Sequence, residues 1–249
     1  MSSRLEAFFH SVFEALPRQG PGSRASTLRA LELCGDLPSA PRVLDLGCGV
    51  GAQTVHLADA TGGVLVAVDR HAPNIDRLHA TVAERGLGGR VLPVVADFAQ
   101  LPPPHEPFDL VWSEGALYNV GLEQGLAICR AQLEPGGMLA FTDAVWRDAN
   151  PPEEVRAVFA DYPTMGDVGA ALARIEASDF ELVSHFSLPD EDWWTEFYEP
   201  MLARIDALRT EFANDAEALE ALDQLAAEPE MHRRHGATYG YEFFVTRAR

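Results

Sequence analysis

Apolar side chains recur at helical spacing from the start of the chain. Leu5, Phe8, Phe9, Val12, Phe13 and Leu16 share one face of a helix predicted over residues 4–16, and that face needs cover from the rest of the molecule. Pro17 ends it, and Arg18-Gln19-Gly20-Pro21-Gly22-Ser23 reads as a turn-rich hinge. Ser23 is placed to cap a second helix, which carries Leu28, Leu31 and Leu33 and closes near Gly35. From residue 42 the period changes. Short apolar runs at 42–46, 64–69, 91–96, 108–113 and 138–143 alternate with helical stretches near 51–60, 73–86 and 121–133. Near-continuous apolar strands separated by helices predict a parallel sheet covered on both faces. Pro93 puts the third strand at an edge, because proline donates no ladder bond. Glu134-Pro135-Gly136-Gly137 predicts a turn ahead of the fifth strand.

Beyond residue 150 the pattern predicts helices at 152–162 and 167–177, a strand at 180–186, a helix-rich stretch at 191–235 and a terminal strand at 238–245. No change of composition marks a linker, so a single α/β domain is expected, with 191–235 inserted between its last two strands. Its parts are an N-terminal helical lid (1–36), a core (37–150), and substrate-side helices with the closing strands (151–249).

Composition narrows the partners. With 249 residues and 47% apolar content the chain can bury a full core. Its net charge of −19 and the lack of a basic stripe argue against nucleic acid, while leaving room for steering of a cationic substrate. No run of about 18 apolar residues predicts a membrane span, and the first residues lack the apolar stretch of a signal peptide. Cys34, Cys48 and Cys129 are scattered without a CxxC pair. They support neither a disulfide framework nor a zinc site, and a cytoplasmic location fits. The eight histidines show no ligand spacing at a shared site, so no metal is expected. His185 alone is placed as a possible base, with a satisfied histidine as its default reading.

The chemistry concentrates where the first strand ends. Asp45 precedes Gly47, Gly49 and Gly51 on alternate positions, which predicts strand, tight turn and helix with the turn N–H groups free to face a ligand. Ligands of an open parallel sheet sit beyond the carboxyl ends of the strands, and here those ends read Asp45, Asp69, Asp97, Ser113-Glu114 and Asp143. Asp69 lies 18 residues past Gly51, where an acid accepts from both hydroxyls of an adenosine ribose. Such a site serves a nicotinamide dinucleotide or S-adenosylmethionine. Three features favour the second. Ala52 stands where the dinucleotide fingerprint has its third glycine, Asp45 suits a cationic aminoacyl group better than a pyrophosphate, and Asp97 with Phe98 can hold an adenine.

These motifs resemble the class I S-adenosylmethionine-dependent methyltransferases. VLDLGCGVG is similar to that family's first motif, Asp69 to its ribose-binding acid, Ala96-Asp97-Phe98 to its adenine contact and Leu133-Glu134-Pro135-Gly136-Gly137-Met138-Leu139 to its turn before the fifth strand. RQGPGS at 18–23 and WSEGALYNVG at 112–121 resemble a group of small bacterial methyltransferases of the methyltransferase-domain 11/25 type. The resemblance implies a Rossmann-like, seven-stranded, mostly parallel sheet of order 3-2-1-4-5-7-6, with strand 7 antiparallel and helices on both faces. It implies cofactor contacts from Gln19, Gly20, Pro21, Asp45, Gly47, Gly49, Asp69, Arg70, Asp97, Phe98 and Ser113, and substrate-side candidates in Glu114, Tyr118 and Asn119. Ser113-Glu114-Gly115-Ala116 replaces the Asn/Asp-Pro-Pro-aromatic motif of enzymes that methylate adenine N6 or glutamine N5, so neither activity is expected. The expected activity is in-line methyl transfer from S-adenosylmethionine to a small-molecule acceptor, releasing S-adenosylhomocysteine, by a monomer or homodimer. A non-catalytic S-adenosylmethionine-binding partner subunit and a nicotinamide-dependent dehydrogenase remain as alternatives. Trp193-Trp194 with Phe197-Tyr198 form either ordinary packing, the default at helical spacing, or an aromatic wall for an apolar or cationic substrate.

Overall fold

The computed structural model describes residues 3–249, except for the side chains of Ser3, Arg4, Leu5 and Ala7, so the place expected for Leu5 on the first helix lies outside the described residues. In chain order the elements are α1 (Ser3–Phe13), α2 (Arg24–Leu33), β1 (Arg42–Leu46), α3 (Ala52–Ala60), β2 (Val64–Asp69), α4 (Ala72–Glu84), β3 (Val91–Val95), β4 (Phe108–Ser113), α5 (Leu122–Gln132) and β5 (Leu133–Trp146). Then follow α6 (Glu153–Val158), α7 (Val168–Glu176), β6 (Phe180–Ser187), α8 (Glu191–Trp193), α9 (Glu199–Glu211), α10 (Ala216–His235) and β7 (Tyr239–Ala248).

The strands form one sheet of order β3-β2-β1-β4-β5-β7-β6, as the resemblance implied. β1 to β5 run parallel, and β7 is antiparallel to both of its neighbours. β3 stands at the edge that Pro93 predicts, with Leu92 and Val95 exposed. Alternation along the strands builds two cores. Leu65, Trp112 and Val245 pack beneath α2, α3 and α4, and Phe141 and Phe244 pack beneath α5 and α7.

Three local departures from the sequence pattern have physical causes. β5 begins at Leu133 rather than 138, because Leu133 already pairs with Phe108 and the Pro-Gly-Gly stretch bulges out of the ladder instead of reversing the chain. α6 stops at Val158 rather than 162, and the chain passes through turns before Pro163, which disfavours helical backbone at Tyr162. α1 stops at Phe13 because Arg77 Nη1 donates to the carbonyls of Glu14 and Leu16, at 2.5 and 2.6 Å, and turns the chain toward α4. Ser23 does cap α2, accepting from the Ser26 amide at 3.2 Å.

A third core lies over the carboxyl rim of the sheet, where α1, α9 and α10 enclose Phe8, Val12, Met201, Ile205 and Leu222 above Ala144 and Tyr239. Burying Phe8, Val12 and Leu16 contributes about 1.5–3 kcal/mol each, enough to hold α1 onto this cap. The histidines, expected to share no site, do meet once: the rings of His10 and His71 stack at 5.0 Å and Glu14 reaches His71 Nε2 at 2.7 Å. Sequence spacing misses this because the α1 hinge folds back onto the start of α4. Among the described residues, no helix is long and apolar enough to cross a membrane.

Candidate active site

A cavity of about 630 Å³ opens where the strands end, between the sheet rim and the third core. One end is built by the turn after β1. Gly47 (φ +70°) and Gly51 (φ +86°) hold a left-handed backbone that favours glycine, and a Cβ on either would fall 2.3 Å from a neighbouring side-chain carbon. The sequence reading left the amides of the turn and of the helix start free; those of Gly47, Cys48, Gly49 and Gly51 are instead engaged within the protein. Gly47 and Cys48 both donate to the Val68 carbonyl (2.8 and 3.0 Å), Gly51 donates to Cys48, and Gly49 donates to Asp69 Oδ2 at 2.9 Å. A pyrophosphate needs such amides unpaired. These glycine-turn amides therefore offer close backbone approach rather than donors to a ligand.

Two expected cofactor contacts sit one layer behind the wall. Asp45 is fully buried and absent from the cavity lining; its carboxylate accepts from Thr54 Oγ1 at 2.5 Å and Gln53 Nε2 at 3.2 Å, bracing the turn against the start of α3. Strand alternation explains the correction, since Asp45 shares the face of Val43 under α3. Burial pushes its pKa up to about 7, against the lowering effect of those two hydrogen bonds. Ser113 is likewise buried behind the wall, its hydroxyl donating to the Leu46 carbonyl at 2.9 Å and tying β4 to β1.

The other expected contacts line the cavity: Gln19, Gly20, Pro21, Gly47, Gly49, Asp69, Arg70, Asp97 and Phe98, with Glu114, Tyr118 and Asn119 further in. Asp69 is held by the amides of Gly49 and His71 (2.9 and 2.8 Å), which fix its carboxylate and leave lone pairs for a ligand. Asp97 also caps the short turn Phe98–Gln100 through the Ala99 amide. The hinge closes over the glycine turn. Gln19 and Asn74 exchange two hydrogen bonds (2.8 and 2.9 Å), and Gln19 Oε1 lies 2.8 Å from where a Gly49 Cβ would stand.

Glu114 is not a free catalytic carboxylate. Its oxygens take an ion pair from Arg18 and hydrogen bonds from Thr27 Oγ1 (2.9 Å) and Trp112 Nε1 (2.8 Å), so it locks the hinge to β4. Asn119 Nδ2 donates to the Ala116 carbonyl, and Tyr118 lies 6.0 Å from Tyr162, centroid to centroid. His185 pairs with Glu242 on the outer strands and lies away from the cavity.

The far end is aromatic. Phe9, Phe13, Phe159, Tyr162, Trp193, Phe197, Tyr239 and Tyr241 line it together with Glu228 and Met231. Trp193 and Phe197 thus serve both readings, packing in the third core and walling the cavity. Behind Tyr162, whose hydroxyl donates to Asp143 Oδ2 at 2.8 Å, the second Asp143 oxygen is buried without a partner. Burial raises the Asp143 pKa to about 6, above its ordinary 3.8. The folded state therefore binds the extra proton, and stability is highest below the unfolded pKa and falls as pH rises from about 4 to 6. On the order of 3 kcal/mol separates those limits for this group. Urea midpoints across that window should show a flatter decline in Asp143→Asn than in the parent; equal slopes would contradict the assignment.

Residues 43–137 match the family described as a methyltransferase domain. The chain is 27% identical over 209 residues to 27-O-demethylrifamycin SV methyltransferase of Amycolatopsis mediterranei, covering 79% of this chain and 74% of that one. Residues 43–137 thus carry a methyltransferase domain. A second relative, sterol 24-C-methyltransferase of Pneumocystis carinii, is 29% identical over 150 residues, 57% of this chain; the chain spans only 40% of that relative's length. The methyltransferase fold extends through nearly the whole chain: an S-adenosylmethionine-dependent methyltransferase from Geobacter sulfurreducens, solved with S-adenosylhomocysteine, superposes with a TM-score of 0.84 over 98% of each chain at 20% identity.

Sequence reasoning missed several members of this site. Arg18 stands in the quoted hinge motif, yet its partner Glu114 is 96 residues away. Glu228 had a signal: it interrupts the buried stripe of α10 between Leu225 and His232. Tyr162, Tyr239 and Tyr241 reach the cavity only because β5, β7 and the α6 region end beside it.

Proposed function

We propose that the chain transfers the methyl group of S-adenosylmethionine to a small-molecule acceptor. The observation that carries this is one continuous cavity with two chemically different ends, the acid- and glycine-lined rim at Gly47 and Asp69 and the aromatic chamber beyond Tyr118. When bound, the cofactor supplies a methyl group already activated by its sulfonium. Asp69 would hold the ribose hydroxyls, Asp97 and Phe98 the adenine, and Gly47 and Gly49 admit the aminoacyl part against the backbone. Arg18 Nη1, buried without a partner, would receive the methionine carboxylate. Residues 1–36 act as a lid whose hinge, Gln19 to Pro21, closes the rim and excludes water. The committed turn amides disfavour the dehydrogenase alternative, and a roomy chamber beyond the rim disfavours a binding-only subunit. In this reading the enzyme works in the cytoplasm as a monomer or homodimer, with neither nucleic acid nor membrane as partner.

Titration calorimetry tests it. S-adenosylhomocysteine should bind and NAD should not, and the reverse result would sink the proposal. Asp69→Ala should weaken S-adenosylhomocysteine by about 1 kcal/mol or more, the scale of hydrogen bonds to a charged group. Unchanged affinity in a folded variant would remove Asp69 from the site.

A further inference from the structure

The aromatic end of the cavity holds a carboxylate that nothing neutralises. Glu228 lies on α10, and its polar partner is Tyr198, whose hydroxyl donates to Oε1 at 2.8 Å. Among the described residues no arginine or histidine forms an ion pair with it, and burial raises its pKa while the Tyr198 hydrogen bond opposes that rise. The cations on the cavity wall stand elsewhere: Arg18 is engaged by Glu114, and Arg70 stands exposed beside Asp69. Aromatic rings surround the acid instead. Trp193 meets Tyr239 and Tyr241 edge-on at 5.5 and 5.3 Å, and burial, with the Glu228 charge adding to it, pushes the hydroxyls of Tyr239 and Tyr241 up. All three of those side chains line the same chamber as Glu228. Two more acids share its sign, Asp161 exposed on the cavity wall and Asp143 behind Tyr162.

A half-buried carboxylate among aromatic rings, with no cation among the described residues paired with it, is best compensated by a ligand of opposite charge. Ring faces and a carboxylate attract the same ligand, an organic cation too weakly hydrated to prefer water. A neutral sterol-like or macrocyclic acceptor would leave Glu228 unpaired in an apolar wall, and an anionic acceptor would be repelled.

We propose that the acceptor is an amine, bound as its ammonium ion in the aromatic chamber with Glu228 as counter-ion. This rests on the methyl-transfer reading for the word acceptor, but the ammonium site stands without it. The proton an ammonium carries on entry passes to the Glu228 carboxylate. The freed nitrogen lone pair then forms the new N–CH3 bond as the C–S bond breaks and its electron pair returns to sulfur. A tertiary amine so becomes a quaternary ammonium, whose charge the rings of Trp193 and Tyr241 continue to face.

Calorimetric titration of choline and of benzyltrimethylammonium, each against its uncharged carbon isostere, tests the site with and without saturating S-adenosylhomocysteine. At least one cation should bind tenfold or more tighter than its isostere. Glu228→Gln, which keeps an acceptor for Tyr198, should cut that preference to threefold or less while leaving S-adenosylhomocysteine affinity within twofold. Equal binding of cations and isosteres, or an undiminished preference in Glu228→Gln, would overturn the ammonium site. Failure of S-adenosylhomocysteine alone to bind would overturn the methyltransferase reading and leave the cation result standing.

Discussion

Truncating Glu114 to alanine is expected to cost about 3–5 kcal/mol of unfolding free energy, the range for breaking one half of a buried ion pair. The Glu114 and Arg18 side chains are 3% and 4% exposed, so water replaces the lost partner poorly. The damage is not confined to one bond. Thr27 Oγ1 and Trp112 Nε1 also lose their acceptor, and Arg18 already has one unpartnered nitrogen. Removing both charges should cost less than the sum of the single changes: Arg18→Met with Glu114→Gln leaves no orphaned ion, and Gln keeps an acceptor for Trp112. Urea denaturation of Arg18→Met, Glu114→Gln and their double gives the coupling directly. Because the same pair fixes the hinge against β4, Glu114→Ala should also weaken S-adenosylhomocysteine. A loss below 1 kcal/mol would mean that the pair does not close the hinge.

That pair shows where sequence reading stops. The sheet was legible because a strand buried on both faces is a local, near-continuous apolar run: Val43, Leu65 and Leu110 announce themselves, and Pro93 marks its own edge. The place of Asp69 at the end of β2, and of Asp97 two residues past β3, on the cavity rim was legible for the same reason. Orientation across layers was less so. Asp45 belongs to the motif that identifies the cofactor turn, yet alternation points it under α3, where it braces the turn that the ligand would touch. The chamber was nearly invisible. Its walls come from α1, the α6 region, α8 to α10 and β7, and their meeting depends on how the third core folds over the rim. Glu228 was readable only as an acid in the wrong place on a helix. Glu114 drew attention by position after β4, but its role reversed once Arg18 was seen to occupy it.

Gly47→Val should abolish S-adenosylhomocysteine binding, at least a hundredfold loss by calorimetry, in a protein that still folds. At φ +70° a side chain costs on the order of 1–2 kcal/mol in backbone strain, and a β-branched one more. Its Cβ would fall 2.3 Å from Ala116 Cβ, with the Ala116 Cα only 3.8 Å away, so the loop after β4 must move rather than a flexible tip. Phe98 Cε1 lies 4.0 Å from the same point, and the two further methyl-sized carbons of valine would therefore crowd the rim shared with the expected adenine contact. Gly49→Ala gives the graded comparison. At φ +55° it carries backbone strain too, but its Cβ meets Gln19 Oε1 at 2.8 Å, the end of a long side chain that can shift, so the steric cost falls on the Gln19–Asn74 latch and binding should weaken far less than in Gly47→Val. Both variants should retain the circular-dichroism spectrum of the parent, because the sheet order does not depend on either residue. If Gly47→Val bound S-adenosylhomocysteine within threefold of the parent, the glycine turn would not be the cofactor wall. A reversed order, with Gly49→Ala the more damaging, would place the decisive contact on the hinge that covers the turn.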